Sequence, residues 1–91
     1  MDEIYIQKVL EGDINSFRYL VDRYKDMSFS IAISILKDEN EAEDAIQDAF
    51  IKAFNSLRGF RNRSKFSTWL YRIVVNESLA RTRRKKHLRI N

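Results

Sequence analysis

The sequence predicts an all-α protein: a compact bundle of three longer helices with a short N-terminal helix packed on its side. Three observations carry this expectation. Proline is absent and glycine occurs only twice among the 91 residues, at Gly12 and Gly59, so helix breakers are few. Apolar residues recur at three- and four-residue steps through most of the chain, the period of a helix with one buried face. The links between these stretches are short, which favours antiparallel neighbours.

Each element has its own justification. Residues 3–11 place Ile4, Val9 and Leu10 on a short amphipathic helix that Gly12 can end, after which Asp13 can cap the next element. From 14 to 36 the stripe runs through Ile14, Phe17, Val21, Tyr24, Ile31 and Ile35, broadened by Leu20, Met27 and Ala32. Residues 31–35 alternate as a strand would, yet they lie inside a helical pattern with no strand partner elsewhere, so helix is expected. Asn40 followed by Glu43 makes a capping-box-like start for the third helix. Its apolar positions Ala42, Ala45, Ile46, Ala49, Phe50, Ala53 and Leu57 include four small residues that permit close helix approach, and Gly59 terminates it. A last helix begins near Phe66 and runs into the cluster at 81–86, with Leu70, Ile73, Val74, Leu79 and Ala80 inward.

Charge is divided along this single domain. The chain has 17 Lys and Arg against 13 Asp and Glu, but residues 58–91 hold eleven of the cations and one acid, Glu77. Residues 1–57 hold the other six cations and twelve acids. Lys and Arg that neutralise phosphates release counterions, so the C-terminal part suits a polyanion. The acidic part would repel nucleic acid and suits a protein partner instead. One domain spanning 1–91 is expected, with its core at about 3–86 and a basic tail at 81–91.

Several function classes are disfavoured. There is no cysteine and His87 has no spaced companions, so neither metal nor cofactor is expected. No Gly-rich phosphate loop, Ser-His-Asp set or His-Glu motif occurs, and no enzyme activity is expected. No apolar run could span a bilayer, and the start Met1-Asp2-Glu3 is acidic where a signal peptide is basic; a cytoplasmic protein with no membrane contact is expected.

Two surfaces stand out. On the last helix Lys65, Trp69, Arg72, Asn76 and Arg83 share one sector beside the apolar face, combining a stacking plane, phosphate-binding cations and a base-pairing amide. Trp69 also suits the core, or both settings at once. The loop Phe60-Arg61-Asn62-Arg63-Ser64-Lys65-Phe66 alternates aromatic, cationic and small polar residues in a pattern that suits a pocket for an unpaired base. It equally suits a solvated turn anchored by its two phenylalanines. Arg81, Arg83, Arg84, Lys85 and Lys86 would lie along the same nucleic-acid backbone, although such runs also mark a solvated helix end. Asp44, Gln47, Asp48 and Ile51 form the second surface, opposite the alanine stripe. These features alone also fit a generic basic nucleic-acid-binding module.

The string Phe66-Ser67-Thr68-Trp69-Leu70-Tyr71-Arg72-Ile73-Val74-Val75-Asn76 closely resembles the DNA-melting helix of bacterial sigma factors of the extracytoplasmic-function group, within the sigma-70 family. Upstream, Glu43-Asp44-Ala45-Ile46-Gln47-Asp48-Ala49-Phe50-Ile51-Lys52-Ala53-Phe54 resembles that family's polymerase-docking helix. The resemblance implies a transcription initiation domain, sigma domain two, that opens the promoter minus-ten element. It implies that Asp44, Gln47, Asp48 and Ile51 meet the beta-prime clamp helices of core RNA polymerase. The loop 60–65 would receive a flipped non-template base of the single-stranded promoter DNA, while Trp69, Arg72 and Asn76 meet the duplex edge and upstream bases. Phe66, Ser67, Thr68, Arg83 and Arg84 complete the implied DNA face. The family often has an anti-sigma factor, a further expected partner. Family members continue into a second, helix-turn-helix domain, so a chain ending at Asn91 reads as one excised domain.

Overall fold

The structure, a computed structural model, describes the backbone of residues 1–60 and 63–90 and the side chains as far as Lys85. Among them the expected all-α architecture is found: α1 is Asp2–Leu10, α2 Phe17–Leu36, α3 Glu39–Ser56 and α4 Phe66–Ile90, with short 3-10 turns at Ile14–Ser16 and Leu57–Gly59. Helices α2, α3 and α4 each pack on the other two, and α1 lies against α2.

Gly12 ends α1 as the sequence suggests. Its φ of 108° is a backbone region that L side chains rarely adopt. The Gly12 N–H donates to the Val9 carbonyl at 3.0 Å and the Asp13 N–H to the Lys8 carbonyl at 2.9 Å, the Schellman pattern that satisfies the helix's last carbonyls. Tyr5 of α1 then stacks on Tyr19 of α2, ring centroids 3.7 Å apart.

The core sits where the alanine stripe allows close approach. Ala42, Ala45, Ala49 and Ala53 of α3 are all buried, and Ala42, Ala49 and Ala53 share one core cluster with Leu20 and Ala32 of α2 and Leu70 and Val74 of α4. On α2 the buried line is Leu20, Tyr24, Ser28, Ala32 and Leu36, a strict four-residue step. Met27, expected in the stripe, falls off this line and is 56% exposed, while Ser28 takes the buried place. Ile14 is 62% exposed because it belongs to the 3-10 turn, and the helical phase starts afresh at Phe17. Ile4 and Leu79, also expected inward, are exposed.

The start of α3 corrects the expected cap. Asp38, with φ −146° and ψ 123°, is the N-cap, and its carboxylate accepts from the Glu41 N–H at 3.0 Å. The helix therefore begins at Glu39, before Asn40. Asp38 and Glu41 repeat the cap-x-x-Glu pattern of Asn40 and Glu43 two residues earlier, and the turn geometry selects that frame. Lys37, ending α2, holds a left-handed φ of 61° and donates its N–H to Ile33 at 2.9 Å. For an L-residue that conformation costs about 1–2 kcal/mol. Lys37→Gly is expected to stabilise the domain by about 1 kcal/mol, raising Tm by about 4–8 °C in a thermal melt.

Candidate nucleic-acid interface

The start of α4 builds the site. Phe66, its first residue, is only 4% exposed, with its ring centroid 5.9 Å from Phe60, 5.7 Å from Trp69 and 5.7 Å from Tyr24. Phe60 and Trp69 lie 5.1 Å apart and are half-buried, so Trp69 is both core and surface. These spacings are those of favourable offset and edge contacts, which stabilise beyond the burial itself. Phe66, expected at the DNA face, is thus mostly buried beneath the residues it supports and borders the cleft only as part of its floor.

Above this aromatic floor opens a cleft of about 610 Å³. Phe60, Arg63, Ser64, Lys65 and Ser67 line one side; Asp2, Glu3 and Ile6 of α1 and Arg23 and Tyr24 of α2 line the other. Arg61 and Asn62, both candidate contacts, lie outside the described residues. The α1 and α2 wall was not foreseen from sequence, since nothing local marks it. Tyr24 donates its hydroxyl to Asp2, whose carboxylate also faces Arg23 at 3.5 Å. Burial pushes the Tyr24 phenol above its ordinary value, and the hydrogen bond with Asp2 pushes it the same way.

The candidate stripe is accessible. Lys65, Thr68, Arg72, Asn76, Arg83 and Arg84 are exposed, and Ser67 is partly so. The basic run is not all available, however. Arg81 pairs with Asp48, and Lys85 Nζ lies 2.8 Å from Glu41. Arg81 and Lys85 therefore face α3, contrary to the expectation of a continuous backbone-binding run; Arg83 and Arg84 remain outward.

The same contacts shape the acidic surface. Glu77, 5% exposed, accepts from Lys52 Nζ at 2.6 Å and has Arg81 Nε at 3.9 Å. Of the four candidate docking residues, Asp44, Gln47 and Ile51 are exposed, whereas Asp48 is engaged by Arg81. Ile51 is 58% exposed and borders a groove of about 480 Å³ with Ile14, Phe17, Val21, Phe50 and Phe54. The exposed Ile14 is thus part of a wider apolar surface than the sequence indicated.

The protein is a small helical bundle with an aromatic-floored cleft of mixed charge on one side and an acidic, partly apolar helix face on another. The model of the family Sigma-70 region 2 matches residues 20–88, and the chain belongs to that family. It is 43% identical over 81 residues to the ECF RNA polymerase sigma factor SigW of Bacillus subtilis, covering 89% of this chain and 43% of that protein. It is 41% identical over 75 residues to the ECF RNA polymerase sigma-E factor of Escherichia coli K12, covering 82% of this chain and 39% of the relative. The chain thus spans about two-fifths of the length of these relatives. Among solved structures it resembles an engineered region 2 of sigmaE in complex with GTAAAA, with TM-score 0.82, 38% identity and 92% of each chain covered. No described helix is long and apolar enough to cross a membrane.

The ion pairs between α3 and α4 make a test of their own. Removing Lys52 leaves the buried Glu77 carboxylate without its shortest partner, whereas removing Glu77 lets the largely exposed Lys52 return to water. Lys52→Met is expected to lower stability in urea melts by about 1–3 kcal/mol. Glu77→Leu is expected to lower it by less.

Proposed function

We propose that this domain acts in transcription initiation: it docks on the beta-prime clamp helices of core RNA polymerase and recognises and opens the promoter minus-ten element by capturing a flipped non-template base. The observation that carries the reading is the cleft beside Phe60. It offers an aromatic floor for stacking and exposed Arg63 and Lys65 for the strand's phosphates. The related engineered region 2 of sigmaE was solved in complex with GTAAAA, which supports a short oligonucleotide as the ligand class here.

The mechanism is capture without chemistry. Extruding a base costs a few kcal/mol, and stacking returns about 1–3 kcal/mol per base. The domain alone therefore holds an open strand but does not efficiently open a duplex; docking on polymerase supplies the remainder. Trp69 backs Phe60, while Thr68, Arg72 and Asn76 follow it along the exposed side of α4, where the duplex edge and upstream bases would lie. Arg83 and Arg84 add sequence-independent attraction. On the other side Asp44, Gln47 and Ile51 meet the clamp, with Asp48 shared between the clamp and Arg81. An anti-sigma factor is a further partner of this reading.

Two measurements test the two surfaces. Trp69→Ala, which removes the support behind the Phe60 stacking surface, is expected to weaken binding to single-stranded minus-ten DNA up to about tenfold, the scale of one base stack, and to change binding to random strands much less. Equal losses would leave only generic electrostatics. Gln47→Ala combined with Ile51→Ala is expected to reduce capture of core polymerase in a pull-down while the melt stays unchanged. Undiminished capture would remove the α3 face from the mechanism.

A further inference from the structure

Arg23 lies in the acidic part of the sequence, on α2, yet its side chain reaches the cleft and is 51% exposed. It is held there on three sides. Nη1 donates to the Tyr19 hydroxyl at 3.1 Å, Nε lies 3.5 Å from Asp2 Oδ1, and the guanidinium carbon sits 5.7 Å from the Tyr24 ring centroid. Both carboxylates of the cleft have partners within the wall, since Asp2 is bound by Tyr24 and Arg23, and Glu3 by the Met1 ammonium at 3.0 Å. A guanidinium has five N–H donors in a planar fork. With Nε turned to Asp2 and one Nη1 hydrogen on Tyr19, Nη2 and the second Nη1 hydrogen make no hydrogen bond of ordinary geometry to the described residues, which leaves donors that can present an edge to a ligand. Such an edge matches the two oxygens of a phosphodiester.

We propose that Arg23 is a phosphate-binding residue of the cleft, gripping one backbone phosphate of the single strand from the wall opposite Arg63 and Lys65. Asp2 and Tyr19 are its positioning residues. Because they hold the fork before the strand arrives, little side-chain freedom is lost on binding. The assignment rests on the base-capture reading above.

The test is a coupling measurement on the 91-residue chain. The tightest-binding single-stranded hexamer from a randomised pool is resynthesised with a neutral methylphosphonate at each linkage in turn, and dissociation constants are measured for wild type, Arg23→Gln and Asp2→Asn. The expected result is that one linkage, once neutralised, costs wild type about tenfold in affinity, and that Arg23→Gln costs a similar factor with no further loss at that linkage. The salt dependence of Arg23→Gln falls by about 0.7 in log–log slope, one single-strand phosphate contact. Asp2→Asn, which weakens the tether of α1 but keeps the guanidinium, retains the sensitivity at that linkage.

Losses that simply add at every linkage, or a wild type indifferent to all neutral linkages, would overturn the assignment. So would equal behaviour of Arg23→Gln and Asp2→Asn, which would leave Arg23 a tether of α1 alone. Failure of the underlying reading is separate: it would show as a pool yielding no preferred hexamer.

Discussion

The burial of Phe66 is the constraint on which the candidate DNA face depends. Its ring lies at the point where the loop after α3 becomes α4, and it touches Tyr24 of α2, Phe60 of the loop and Trp69 one turn onward. Full burial of such a ring stabilises by about 1.5–3 kcal/mol, and that energy is spent at the base of the cleft. The loop's first aromatic and the helix's tryptophan are thereby fixed to the core of the bundle. A stacking surface held this way loses little entropy when a ligand arrives, which is the advantage of building a site on rigid elements.

Charge in this chain is only partly a matter of partners. An acidic α3 and a basic α4 suggest two surfaces with different ligands, but the two helices also use their opposite charges on each other. Glu41, Asp48 and Lys52 run one way along α3 and meet Lys85, Arg81 and Glu77 running the other way along α4. This antiparallel register fixes the long α4 against α3 and divides the cations into inward ones, Arg81 and Lys85, and outward ones, Arg83 and Arg84. The buried Glu77 carboxylate at one end of it needs both neighbours, because an ion removed from water is tolerated only when paired.

Most of the helices could be read from periodicity, because the alanine stripe of α3 and the apolar positions of α4 repeat at the helical step with little ambiguity. The boundaries were less legible where two local patterns compete. Asp38 with Glu41 and Asn40 with Glu43 both satisfy a capping signature, and the left-handed Lys37 decides between them. Ser28 could not be recognised as core, because a small polar residue at a close helix crossing leaves no hydrophobic signal. Half of the cleft was legible for a simple reason: the loop and the start of α4 are contiguous in sequence. Arg23, Tyr24 and Asp2 come from two other helices, so only the packing of α1 and α2 brings them to the same opening. The α3–α4 ion pairs were within reach, since Glu77, Arg81 and Lys85 are spaced by four on one side of a helix and face opposite charges.

The central claim is that an unpaired base enters the cleft above Phe66 while the rest of the strand is held by exposed cations. Nuclear magnetic resonance of the isotope-labelled domain with a single-stranded minus-ten oligonucleotide tests it most directly. One base is expected to show strong ring-current shifts and proton–proton contacts to Phe60 and to residues of the cleft wall. Chemical-shift changes confined to Arg83, Arg84 and their neighbours, with no base proton near Phe60, would contradict it.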